Sequence, residues 1–165
     1  STCHSGTLFT DQKHYDLCVP QLGPGKGLES PLDFGLGRET GAIEDRFRFR
    51  TPPLRNCSET SPYMHNGAYD KLDSVIRHHM NPLSSLLSYR PEQHISIPEI
   101  LVTYDASNQF PVANQIDEIA VPRLSDEEIR SLVAFLNALT APKLKRKLRA
   151  TIPNSVPSGL MDPLN

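Results

Sequence analysis

Two stretches of the chain space their apolar residues as helices do, and one alternates them as a strand does. In the first, Leu72, Val75, Ile76 and His79 fall at i, i+3, i+4 and i+7, one face of a 3.6-residue period. Asp70 stands where it can cap this helix, and Asn81-Pro82 should stop it after Met80. The spacing therefore predicts that His79 points inward with the core residues. Met80 sits at the edge of the same stripe. His78, turned about 100° from His79, is expected to meet solvent or a loop. In the second stretch, Ser125-Asp126-Glu127-Glu128 reads as a capping box, followed by the stripe Ile129, Leu132, Val133 and Leu136, for a helix ending near Thr140. Arg46 to Arg50 alternates Arg-Phe-Arg-Phe-Arg, a short strand with one apolar face that Pro52 and Pro53 end.

Between these elements the pattern is weak. The opening residues, through Thr10 and Asp11, predict a short helix and a turn. Pro20 to Gly41 is rich in proline and glycine and reads as a long loop, and loops of that length in compact domains are usually functional or disordered. Thr60 to Gly67 is compact and rich in turn-formers. Past Pro142 comes a basic run, Lys143, Lys145, Arg146, Lys147 and Arg149, and then a tail with Pro153, Pro157 and Pro163, read as an extended arm.

The length, 165 residues, suits one domain with a core of its own. Its 38% apolar fraction, fifteen prolines and absence of tryptophan predict much ordered loop, and a bound cofactor could supply core that the chain lacks. A formal charge of -2 gives no support for nucleic-acid binding. The basic run is expected to be a solvated face. No stretch approaches the roughly 20 apolar residues of a membrane span.

Cys3-His4 is the sharpest local chemical signal, because c-type haem is attached through C-x-x-C-H. Ser1 and Thr2 would be the two variable positions, with the first cysteine just before this numbering. Cys3 would then carry a thioether and His4 would be the proximal iron ligand. By itself a Cys-His pair is a weak signal.

Several rarer words agree with it. They are Leu8-Phe9-Thr10-Asp11, Val19-Pro20-Gln21-Leu22-Gly23-Pro24-Gly25, Asp33-Phe34-Gly35 and, most specific, Phe49-Arg50-Thr51-Pro52-Pro53-Leu54-Arg55-Asn56 followed by Thr60-Ser61-Pro62-Tyr63-Met64-His65-Asn66-Gly67. In this order they resemble the bacterial di-haem cytochrome c peroxidases and the related methylamine-utilisation maturation enzyme, over the C-terminal haem domain. The resemblance runs from the first residue nearly to the last.

The resemblance implies a mainly α fold, a cytochrome c-like haem domain with long ordered loops over residues 1–140, and a basic, proline-rich C-terminal extension over 141–165. It implies haem c. In those proteins the second iron ligand lies fourteen residues past the histidine of Tyr-x-His-x-Gly, and counting from His65 lands on His79. The relatives use Met or Tyr there, so an imidazole would give a His/His iron of lower potential than His/Met. Met80 and Met64 stay open as alternatives to His79. The resemblance puts His65 beside the haem rather than on the iron, and Arg55 and Asn56 close to it, the guanidinium suited to a propionate. Backbone oxygens of Thr60 and Pro62 match part of a calcium site shared with the other haem domain. Strong calcium binding by this chain alone is not expected. Cys18 and Cys57 are expected to be small buried hydrophobes rather than a disulfide.

By the same resemblance the chain takes electrons from a donor protein, a small cytochrome or cupredoxin, and passes them to an N-terminal haem domain of the same polypeptide, where peroxide is reduced and where most catalytic acids would lie. A periplasmic location follows, and a homodimer is allowed. A mono-haem electron carrier is the alternative, against which the long loop and Thr-Pro-Pro-Leu-Arg-Asn speak. A haem-free interaction module is a third reading that a visible spectrum would decide.

Overall fold

The capping box at Ser125 forms as its residues dictate. In a computed structural model, describing residues 2–96, 104–114, 116–117 and 121–142, the Glu128 amide donates to Ser125 Oγ at 3.3 Å and the Ser125 amide donates back to Glu128 Oε2 at 2.8 Å. Such a cap stabilises a helix by about 1 kcal/mol. The helix it starts runs Asp126–Ala138, and the predicted stripe is its inner face. Ile129 and Leu136 are buried, and Leu132 and Val133 pack beside them.

The described residues are helix-rich. A two-stranded sheet comes first, β1 (His14–Tyr15) antiparallel to β2 (Phe49–Arg50), with Tyr15 opposite Phe49. Helix α1 (Leu36–Thr40) lies in the long loop. Then come α2 (Leu72–Met80), α3 (Pro82–Leu87), α4 (Pro91–His94) and α5 (Asp126–Ala138). Among the described residues the core has three parts. Ile76 of α2 meets Ile129 and Leu136 of α5. Tyr69, Tyr89, Leu22 and Ile95 form a second cluster, and Cys18, Phe47, Leu86 and Val112 a third. Each fully buried aliphatic side chain contributes about 1.5–3 kcal/mol. No helix among the described residues is long and apolar enough to cross a membrane.

Four expectations need correction. The opening residues form turns rather than a helix: Gly6 and Phe9 both take positive φ, and the chain folds back so that the Asp11 amide donates to the Cys3 carbonyl at 2.8 Å. Asp70 does not cap α2, because its carboxylate accepts from the Ser96 amide, and the helix starts two residues later than Asp70, at Leu72. The strand is shorter than Arg46–Arg50. Phe47 is buried with φ +61°, Arg46 lies over the Phe34 ring and Arg48 pairs with Asp117, so only Phe49 and Arg50 keep the ladder. Finally, His78 is fully buried rather than facing solvent.

Asn81-Pro82 does end α2, but it also begins α3: Asn81 Oδ1 accepts from the Ser84 amide and Pro82 takes the first helical position, where its missing N–H costs nothing. Cys18 and Cys57 are free thiols, Cys18 fully buried among apolar residues and Cys57 packed beside the α2–α5 contact. The basic run from Lys143 to Arg149 and the proline tail lie outside the described residues.

Candidate functional site

The turn after Cys3 is built to hold His4. Its backbone is closed by three bonds: the Phe9 amide donates to Gly6, that of Thr10 to Ser5 and that of Asp11 to Cys3. The Phe9 carbonyl then faces the His4 ring, 2.9 Å from Nδ1. A carbonyl only accepts, so Nδ1 carries the proton and the ring's lone pair lies on Nε2. The turn is fastened to the sheet as well. The Thr10 hydroxyl donates to the Thr51 carbonyl at 2.7 Å, and that of Tyr15 to Asp11 Oδ2 at 2.7 Å. The Tyr15 hydroxyl holds the Asp11 carboxyl below its usual range, and the carboxylate in turn raises the phenol.

His79 repeats this arrangement on α2. Its Nδ1–H donates to the Val75 carbonyl one helical turn back, at 2.8 Å, which again puts the lone pair on Nε2. Burial pushes its pKa down, and the charge of His4 adds to the depression, so the two imidazoles lie within electrostatic reach. Residues more than seventy positions apart in sequence thus take the same tautomer, each backed by a carbonyl. Backing of this kind is how histidines are oriented toward a metal.

His78, by contrast, has no nitrogen to spare. Its Nε2–H donates to the Leu17 carbonyl at 2.7 Å, and Nδ1 lies 3.0 Å from both the Tyr69 and Ser85 hydroxyls, which are 3.1 Å from each other. Burial lowers its pKa to about 4, so the ring is neutral at physiological pH. Met80 is also engaged: its sulfur accepts from the Leu124 amide at 3.3 Å, and the side chain packs against the α2–α5 core. Met64, at φ +68°, packs against the Tyr69 cluster.

The other predicted residues make contacts of their own. His65 is exposed, stacks on Phe49 with centroids 4.2 Å apart and places Nε2 3.0 Å from Asp33 Oδ2. It joins the long loop to the Thr60–Gly67 turn. Burial alone would raise Asp33, but the Gly35 amide and His65 hold it below the usual carboxylate range. Arg55 is exposed. Asn56 takes the left-handed conformation; its amide donates to the Leu139 carbonyl and its Oδ1 accepts from the Ala141 amide, tying the turn to the end of α5. Thr60 and Pro62 are exposed, with the Thr60 amide and hydroxyl both donating to the Cys57 carbonyl.

Sequence reasoning missed the His78–Tyr69–Ser85 triangle, and only the adjacent histidine pair hinted at it. It also missed Asp16, fully buried, with Oδ1 accepting from the Cys18 amide and Oδ2 without a partner. Burial, reinforced by the charge of Asp117, lifts Asp16 to about 7 against the opposing Cys18 amide and Arg48. Because an unfolded Asp titrates near 4, the folded chain binds the extra proton between about pH 4 and 7, and stability falls as pH rises through that window. Asp16→Asn is expected to flatten this decline in chemical denaturation at a series of pH values. A variant whose profile stays parallel to the parent's would contradict the assignment.

Among the described residues no group of three or more His, Cys, Asp or Glu could hold a metal ion. A bare zinc site needs three or four such ligands. Two imidazoles with their lone pairs on Nε2 instead suit a metal that brings its other ligands with it, as haem iron does, and Cys3 beside His4 offers a thiol for attachment. The donor set therefore fits haem c.

No family model matches the chain. Curated relatives do. It is 35% identical to cytochrome-c peroxidase IdrP1 of Pseudomonas sp. (strain SCT), over 45% of this chain and 25% of the relative. It is 31% identical to methylamine utilization protein MauG of Paracoccus denitrificans (strain Pd 1222), over 80% of this chain and 34% of the relative. The chain thus spans between a quarter and about a third of these relatives' lengths. Among solved structures, a MauG-like protein associated with microbial copper homeostasis superposes with a TM-score of 0.55 at 24% identity, over 87% of this chain and 42% of that one, which shows a shared fold.

Proposed function

From this likeness to the bacterial cytochrome c peroxidases and MauG proteins, we propose that the chain is the electron-handling c-type haem domain of a di-haem peroxidase, taking electrons from a small donor protein for the reduction of hydrogen peroxide at a second haem domain. One observation supports the reading above others: His4 and His79 each have Nδ1 bonded to a backbone carbonyl, which puts each lone pair on Nε2, and the charge of His4 is felt at His79.

Bound here, haem c would supply an iron that alternates between ferrous and ferric. The chain's residues do the rest. Cys3 would anchor the macrocycle through a thioether, and His4 and His79 would hold the iron. His79 is preferred to Met80, whose sulfur already accepts from Leu124, and to Met64, which packs in the Tyr69 cluster. The two carbonyl bonds make the imidazoles stronger donors, which favours ferric iron and a potential below that of a His/Met site. Arg55, with its guanidinium exposed, is assigned to a propionate. Thr60 and Pro62 offer carbonyls to calcium only together with ligands of the other haem domain. A periplasmic location belongs to the same reading, being what covalent haem attachment and a small donor cytochrome or cupredoxin would call for.

The test is made on the full-length, haem-loaded protein. Hydrogen peroxide is expected to drive oxidation of a reduced small cytochrome or cupredoxin, followed by the donor's absorbance. A haem-loaded protein that exchanges electrons with the donor but leaves it reduced when peroxide is added would be a carrier instead.

A further inference from the structure

The element that carries His79 must be held at one rotation and one distance from the turn that carries His4, and the α2–α5 contact cannot do this alone. The buried part of that contact is aliphatic, Ile76 against Ile129 and Leu136, with one polar link, the exposed pair of Arg77 and Asp126, and apolar packing is non-directional. A fully buried directional tie comes from the neighbouring residue. His78 Nε2–H donates to the Leu17 carbonyl across sixty-one positions of sequence, and its Nδ1 faces the Tyr69 and Ser85 hydroxyls. Three separate parts of the chain thus meet on one ring: the segment following β1, the turn ahead of α2, and α3.

Leu17 is two residues past Tyr15, whose hydroxyl holds Asp11, whose amide in turn holds the Cys3 carbonyl beside His4. A continuous path of hydrogen bonds and short backbone segments therefore runs from His4 to the ring adjoining His79. The His78 and His79 ring centroids are 6.0 Å apart, with planes at 82°. An aliphatic side chain would fill the same space without the desolvation cost of a buried imidazole. Satisfied buried polar networks instead fix a unique arrangement.

We infer that His78 is a positioning residue: by bonding α2 to Leu17, Tyr69 and Ser85 it sets the orientation of the His79 imidazole relative to His4, and with it the axial geometry and potential of an iron held between them. This rests on the haem reading above.

The experiment compares the full-length, haem-loaded parent with His78→Leu, His78→Gln and the double variant Tyr69→Phe/Ser85→Ala. Folding is followed by circular dichroism, and the iron by electron paramagnetic resonance and by the reduction potential. In His78→Leu the domain's sharp low-spin resonance is expected to broaden and shift, with a displaced potential. His78→Gln, whose amide can still donate to Leu17, is expected to return both toward the parent. The double variant, which strips Nδ1 of its donors without touching the α2 sequence, should shift the signal in the same direction. A His78→Leu protein that is folded, even if less stable, with unshifted resonance and potential would overturn the inference. Should that variant not fold, an unshifted double variant overturns it. A parent lacking any two-imidazole signal defeats the haem reading itself, and the inference with it.

Discussion

Replacing His79 with alanine in the haem-loaded protein turns a six-coordinate, low-spin absorption spectrum into a high-spin one and raises the reduction potential. The cause is the loss of an imidazole whose Nδ1–H is fixed to the Val75 carbonyl and whose Nε2 lone pair is thereby aimed away from its own helix. Removing that donor destabilises ferric iron more than ferrous. The rise should be on the order of a hundred millivolts, a modest part of the roughly 0.8 V that axial ligands span. His78 cannot step in, since both its nitrogens are bonded. Met80 would have to give up the Leu124 amide and leave the α2–α5 core. An unchanged low-spin spectrum in His79→Ala would nonetheless assign the ligand to Met80 or Met64.

The second large effect concerns His4. His4→Ala is expected to abolish stable haem incorporation, read as the haem-to-protein absorbance ratio falling nearly to zero in the purified protein. The turn around His4 is closed by backbone bonds that do not need the imidazole, from Phe9 to Gly6, Thr10 to Ser5 and Asp11 to Cys3. The apoprotein should therefore still fold, so that loss of haem reports on the ligand and not on collapse of the turn. Normal haem content in this variant would contradict the proximal assignment.

How far these sites were legible in the sequence differs from element to element, for physical reasons. Helix α5 could be read almost to its ends because its cap, its stripe and its burial are all local. Placement of His79 on the inner side of α2 followed from periodicity with Leu72, Val75 and Ile76. The same reasoning misplaced His78, since a pattern of apolar residues marks only the face that packs against apolar partners. Helix α2 is covered on a second side by Leu17, Tyr69 and Ser85, through hydrogen bonds that leave no hydrophobic signature. Strand β2 shrank for a related reason, as buried Phe47 takes a left-handed backbone that alternation does not foresee. The helices α3 and α4 were missed because six and four residues are too few to show a period. Pairing of His4 with His79 was not visible in either local pattern; resemblance supplied it as an expectation.

The central claim, that one haem iron is held between His4 and His79, is met most directly by near-infrared magnetic circular dichroism of the ferric, haem-loaded protein. Two imidazoles on a low-spin iron give a charge-transfer band in one position, and imidazole with thioether gives another. The account predicts the two-imidazole band, present in the parent and lost in His79→Ala. A thioether band, or a spectrum with no axial signature of two nitrogen ligands in this domain, would contradict it.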